Sequence, residues 1–170
     1  MKKIVALLLA LVLCMGTTAA MADKLGSYLY TKVSTAASAG EKDGSFQVNT
    51  VTCAVVLDDN GVIKMVKFDT AQTKLGFTAA GVVTTEAGTI VPSKEEKKDD
   101  YGMRKASPIA KEWFEQAAAL EAWCVGKTVE EVLAAPLNNG YPTDADLVTG
   151  CTMNVSDYLL ALQKAAELAK

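Results

Sequence analysis

The chain has 170 residues, half of them apolar, a formal net charge of −3 and no histidine. Without histidine there is no His-based general acid or base, no His-ligated zinc or haem, and no Ser-His-Asp or Cys-His device. The mildly acidic balance argues against nucleic acid or an anionic membrane as the main partner.

Met1 to Ala22 reads as an export leader. Lys2 and Lys3 form the positive start, Ile4 to Leu13 the apolar run, and Ala20-Met21-Ala22 an A-x-A cleavage site. The apolar run is short for a membrane span. A rival reading makes Cys14 a lipidated cysteine, but Leu13 fits poorly where a small residue is wanted. Cleavage near Ala22 leaves 148 residues with 15 basic and 20 acidic side chains, one domain of ordinary size. The expected location is secreted, periplasmic or at the cell surface. Cys53, Cys124 and Cys151 remain, with no CxxC, so a metal–sulfur site is not expected. Cys53 reads as a small buried hydrophobe, and a Cys124–Cys151 bridge is left open.

Asp23 to Gly44 is rich in Ser, Ala, Thr and Gly and reads as a partly ordered lead-in with a short strand at Tyr28–Val33, the domain proper covering residues 45–170. Gln47–Leu57 and Val62–Asp69 predict a hairpin around Asp58-Asp59-Asn60-Gly61, since Asn60 and Gly61 both tolerate positive φ. Val62, Lys64, Val66 and Phe68 alternate with Ile63, Met65 and Lys67, which leaves the buried face open. Weaker strand-like pieces follow at Lys74–Thr78 and Val82–Thr84. The charge run Ser93–Asp100 reads as a solvated loop or frayed turn rather than a binding tail.

Ser107-Pro108 predicts a helix start, with Ile109, Trp113, Ala117, Leu120 and Trp123 or Cys124 at helical spacing and Gly126 as the stop. Thr128 to Glu131 is a capping box for a short second helix before Pro136. Leu137–Thr143 reads as loop. A last helix from about Asn154 carries Val155, Leu159, Leu162 and Ala166 on its apolar face. Strands followed by helices make the class α+β: an antiparallel hairpin-rich sheet, then helices, with a distinctive loop before the C-terminal helix.

That loop, Asp146-Leu147-Val148-Thr149-Gly150-Cys151-Thr152, places an acid ahead of a hydroxyl-Gly-small-hydroxyl run at a helix entrance, where free N–H groups attract phosphate. It resembles the flavinylation motif of the FMN-binding domain family: Asp, two residues, Ser or Thr, Gly, Ala, and the Thr that takes the flavin. Relatives sit in the Rnf and sodium-pumping NADH:quinone oxidoreductase complexes and in secreted electron carriers. Here Cys151 replaces Ala, and Asn154-Val155 stand where the family often has Thr-Ser. The resemblance implies FMN joined by a phosphodiester to Thr152, Thr149 and Gly150 forming the turn, Asp146 as the recognised acid, and Cys151 as the small residue beside the acceptor. It implies two partners, a flavin transferase and a redox protein or membrane electron-transfer complex. The expected role is electron carriage, with a flavin-free binding module of the same fold and an extracellular flavin-dependent reductase as alternatives. Trp113, Phe114, Trp123 and Tyr101 are candidates to stack on a flavin ring, although Trp113 fits a core role better; Lys105 and Lys111 are candidates to neutralise a phosphate.

Overall fold

The computed structural model describes residues 23–170, so the export leader read at Met1–Ala22 lies outside the described residues. Three long strands, β1 (Lys24–Ala37), β2 (Gly44–Leu57) and β3 (Ile63–Phe77), form an antiparallel sheet in that order. A single turn of helix, α1 (Lys94–Lys97), runs into a 3-10 turn at Lys98–Tyr101. Then come α2 (Trp113–Cys124), α3 (Val129–Leu133), a two-stranded ribbon of β4 (Leu137–Asn138) and β5 (Tyr141–Pro142), a 3-10 turn at Leu147–Thr149, and α4 (Ser156–Glu167). The class is α+β, an antiparallel sheet followed by helices.

The core lies where α4 crosses β1 and β2 and α2 crosses β3. Alternate residues of β2, namely Val51, Cys53, Val55 and Leu57, are buried against Leu120, Leu159 and Leu162 of the helices. On β3 a register shift opposite Val56 and Leu57 makes Lys64 an extra residue. Such a bulge rotates the strand, and it puts Ile63 on the same buried face as Val66 and Phe68. Strict alternation could not have chosen that face.

Several expectations are corrected. The supposed lead-in is mostly β1, a 14-residue edge strand paired with β2 along its length. The Asp58–Gly61 connection has only Gly61 at positive φ, +78°, and Asp58 Oδ1 accepts from the N–H groups of Asn60 and Val62. A tight turn with two positive φ values occurs instead at Asn139 (+52°) and Gly140 (+85°), inside the stretch read as loop. The helix expected at Ser107 begins at Trp113, where Glu112 and Glu115 supply a reciprocal capping box. The capping box at Thr128 and Glu131 stands where expected, and the last helix starts at Ser156 rather than near Asn154.

Strand and helix lengths do not match, and this creates the site. Strands of 14 or 15 residues reach roughly 45–50 Å, whereas α2 and α4, 12 residues each, span about 18 Å. The far half of the sheet therefore projects beyond the helices. On its inner face β2 changes at this point from Val51 to Asn49 and Gln47, and β3 from Phe68 to Gln72 and Lys74.

Candidate functional site

The 3-10 turn at Leu147–Thr149 is opened by Asp144, whose Oδ1 accepts from the N–H groups of Asp146 (3.1 Å) and Leu147 (3.0 Å). Asp146 itself is exposed and holds the turn through its carbonyl, which accepts from Thr149 Oγ1 at 2.7 Å. Leu147 O then takes the N–H groups of Gly150 and Cys151. A Cβ on Gly150 would stand 2.7 Å from Ala119 Cβ, so glycine here lets the loop lie against α2; this is a packing reason, different from clearance for a phosphate. Cys151 is fully buried with a free thiol, which burial pushes up to about 11. Cys53 and Cys124 are also buried and free.

Thr152 is half-buried, and its surroundings are organised by Gln116 of α2, a side chain with no exposure at all. Gln116 Oε1 accepts from Thr152 N (2.9 Å), Met153 N (3.1 Å) and Thr152 Oγ1 (3.3 Å). Its Nε2 donates to Ser107 Oγ (3.0 Å) and to the Lys111 carbonyl (3.2 Å). The amide thus uses both ends to join the motif to the loop before α2. This corrects the expected anion cradle, because the N–H groups at Thr152 and Met153 are taken by Gln116 and the first helical residue lies four positions on. Beyond Thr152, Val155 N donates to Gly140 O (2.8 Å) and Asn154 Nδ2 to Asn139 O (3.0 Å), so the β4–β5 ribbon braces the segment.

Met153 and Asn154 form part of the wall of a cavity of about 770 Å³, inside the range of about 300–1,000 Å³ common for small-molecule sites. Thr152 is not itself in the wall. The projecting sheet contributes Asn49, Gln72 and Lys74, and the start of α4 contributes Ser156 and Asp157. The apolar side is Trp113, Tyr101, Met103 and Met153. Trp113 is 1% exposed, donates Nε1–H to Tyr158 Oη at 3.0 Å and packs on that ring, so it is a core residue that also borders the cavity. Tyr158 Oη lies 3.2 Å from Thr70 Oγ1, and burial pushes its hydroxyl up to about 12.

Three lysines, Lys32, Lys74 and Lys94, face one carboxylate, Asp157, in the wall. A chain of net negative charge thus concentrates positive charge here, which favours an anionic ligand. Lys32 is paired with Asp157 at 2.6 Å. Lys94 comes from the charge run read as a solvated loop or frayed turn; the run forms one helical turn and a 3-10 turn, and burial lowers this lysine to about 8.

The other candidates separate. Lys111 Nζ stands 3.9 Å from the point where a Cβ on Gly150 would lie, so it adjoins the motif, whereas Lys105 is exposed. Trp123 packs under Lys127 and Phe114 under Lys98, and neither borders the cavity. Gln116, Lys94 and Met153 were missed by reading the sequence. Gln116 carried a signal, as a polar residue on the buried stripe Trp113, Ala117 and Leu120. Lys94 carried none, being one of three lysines in six residues from Ser93 to Lys98 that look alike.

No protein-family profile matches the chain, and no solved structure matches it. It is similar to the chlorophenol reductase of Desulfitobacterium hafniense, 30% identical over an alignment 179 positions long, gaps included, that covers 78% of this chain and 54% of that protein. The chain therefore spans about half the length of the curated relative it matches.

Proposed function

We propose that this chain is an exported electron carrier with FMN held by a phosphodiester to Thr152. The observation that carries the reading is the juxtaposition at Met153: one residue after a clamped, half-buried threonine hydroxyl, the chain enters the wall of a lysine-bearing cavity with an aromatic side. In the attachment step, Thr152 Oγ attacks the phosphorus that links the FMN half of FAD to AMP. A P–Oγ bond forms, the P–O bond to AMP breaks, AMP leaves, and the hydroxyl proton passes to solvent. A separate transferase supplies FAD and the catalysis.

Once bound, a flavin supplies one- and two-electron redox chemistry. The protein's own part is position and field. Gln116 fixes Thr152, Lys111 adjoins the linkage side, and Lys32, Lys74 and Lys94 set a positive potential in the cavity. Tyr101, Met103 and Met153 offer apolar surface to a planar ring. A membrane complex or second redox protein would deliver and remove the electrons.

Intact-mass measurement after co-expression with a flavin transferase tests this. Wild type is expected to gain one FMN, and Thr152→Ala none while remaining folded. Flavin on Thr152→Ala, or an unmodified wild type beside an active transferase, overturns the reading and leaves a flavin-free binding module. The 30% identity to a chlorophenol reductase favours a second reading, in which the loaded protein reduces a small acceptor itself. Turnover of a chlorophenol with a chemical reductant and no partner protein would establish it, and no turnover would leave the carrier.

A further inference from the structure

Lys94 is held in the cavity by a short element with firm attachments. Ser93 caps α1, its Oγ accepting from Glu96 N at 3.2 Å while its own N–H donates to Glu96 Oε2 at 2.7 Å. Ser93 also bridges to Ala71 of β3, and Glu95 N donates to Asp69 Oδ1 at 3.2 Å. These contacts dock the turn on the sheet and send one lysine of a solvent-facing charge run inward. Its Nζ lies 4.9 Å from the centre of the Tyr101 ring and 5.6 Å from that of Trp113, so aromatic faces hold the cation.

The three cavity lysines are not equivalent. Lys32 already has a carboxylate partner, and Lys74 is exposed to water. Lys94 is partly desolvated and, among the described residues, has no carboxylate within ion-pair distance and no hydrogen-bond acceptor for its ammonium group. A cation removed from water without a counter-charge is unfavourable. A ligand that brings negative charge into the cavity offsets that cost.

We infer that Lys94 is the charge-pairing residue of this cavity, its ammonium group stabilising the negative charge that a bound flavin ring gains on two-electron reduction. The inference rests on the reading of Thr152 as the attachment point. Two electrons from the redox partner and one proton from solvent leave the ring with one net negative charge, and Lys94 supplies the opposing charge without transferring a proton. It thereby favours the reduced state and raises the midpoint potential.

The test uses flavin-loaded wild type, Lys94→Met, Lys94→Arg and Lys74→Met, each titrated with dithionite against reference dyes. Intact mass records loading first. Lys94→Met is expected to move the reduced-to-oxidised ratio at a fixed ambient potential at least tenfold toward oxidised, about 30 mV for a two-electron couple. Lys94→Arg, which keeps the charge, should stay within threefold of wild type, and Lys74→Met, which removes a water-exposed wall charge, should shift less than Lys94→Met. A Lys94→Met potential equal to wild type overturns the inference, as does an equal shift in Lys74→Met, which would indicate a diffuse field. Wild type without flavin removes the attachment reading and this inference together; loaded wild type with an indifferent Lys94→Met removes this inference alone.

Discussion

At the scale of single residues, the site depends on two side chains whose surroundings run against their chemistry. Gln116 is a buried amide that accepts two hydrogen bonds from Thr152 and one from Met153 just after the motif, so Gln116→Leu would leave the N–H groups of Thr152 and Met153 without their acceptor. Orphaned buried donors cost about 1–3 kcal/mol each before relaxation. We expect urea unfolding to show a loss of about 2–4 kcal/mol, with flavin loading reduced further than that loss explains. Loading at the wild-type level would mean that the clamp does not position Thr152. Lys94 gives the opposite sign. Its folded value, about 8, lies below the ordinary lysine value near 10.4, because burial outweighs the attraction of Asp157 and Asp69, with Lys97 adding repulsion and Tyr101 and Tyr158 facing it across the cavity. Below pH 8 both folded and unfolded chains carry the proton and the full penalty applies. Between pH 8 and about 10.4 the unfolded chain binds more protons, so stability rises with pH. Flavin-free Lys94→Met should therefore be more stable than wild type by about 1–2 kcal/mol at pH 7, discounted for partial exposure, with the gap closing as pH climbs through that window. A gap independent of pH would show that Lys94 is not desolvated in solution.

At the scale of elements, local signals were legible where one turn of chain settles the geometry. The capping box at Thr128 and Glu131, the β2–β3 hairpin and the stop at Gly126 all stand where the residues predict them. Signals that depend on a distant partner were not legible. Ser107-Pro108 has the form of a helix start, yet Ser107 Oγ accepts from Gln116 while a pair of glutamates opens α2 six residues later. Two Asn-Gly pairs looked alike, and only Asn139-Gly140 makes the turn with both φ values positive. What distinguishes it is contact: a Cβ on Gly140 would lie 2.3 Å from Ser156 Oγ, whereas one on Gly61 would meet nothing within 4 Å. Gly61→Ala should thus cost only the positive-φ strain, about 1 kcal/mol, and Gly140→Ala more, because the ribbon must also move off the segment after Thr152. Paired chemical denaturation curves check the order. Equal losses, or a larger loss at Gly61, would mean that the β4–β5 ribbon does not brace the motif.

At the scale of the whole molecule, the cavity is a consequence of strands more than twice as long as the helices that cover them. Half of this was legible, since β2 changes from Val51 to Asn49 on one face. The rest required β1, whose run of Ser, Thr and Ala lacks the pattern of a half-buried strand because most of it lies exposed beyond the helical layer. The same assembly brings three thiols from different elements into one core: Cys53 on β2, Cys124 at the end of α2 and Cys151 in the motif. Burial pushes Cys53 and Cys124 up to about 12 and Cys151 to about 11, so the native thiols should resist alkylation twice over, by access and by lack of thiolate. Labelling then reports opening. Cys53 sits in the central strand and should react only with global unfolding. Cys151 follows a 3-10 turn held by Asp144 and the Gln116 clamp, so a smaller opening exposes it, and the same opening would present Thr152 to a transferase. Pulsed alkylation across sub-denaturing urea, read by peptide mass spectrometry, should label Cys151 before Cys53 and Cys124, and Gln116→Leu should widen that interval. A Cys124–Cys151 disulfide in flavin-loaded protein would contradict the three free thiols. Three cysteines labelled at one common rate would mean that the motif opens only with the entire fold, and a transferase would then have to reach Thr152 in the closed, clamped loop.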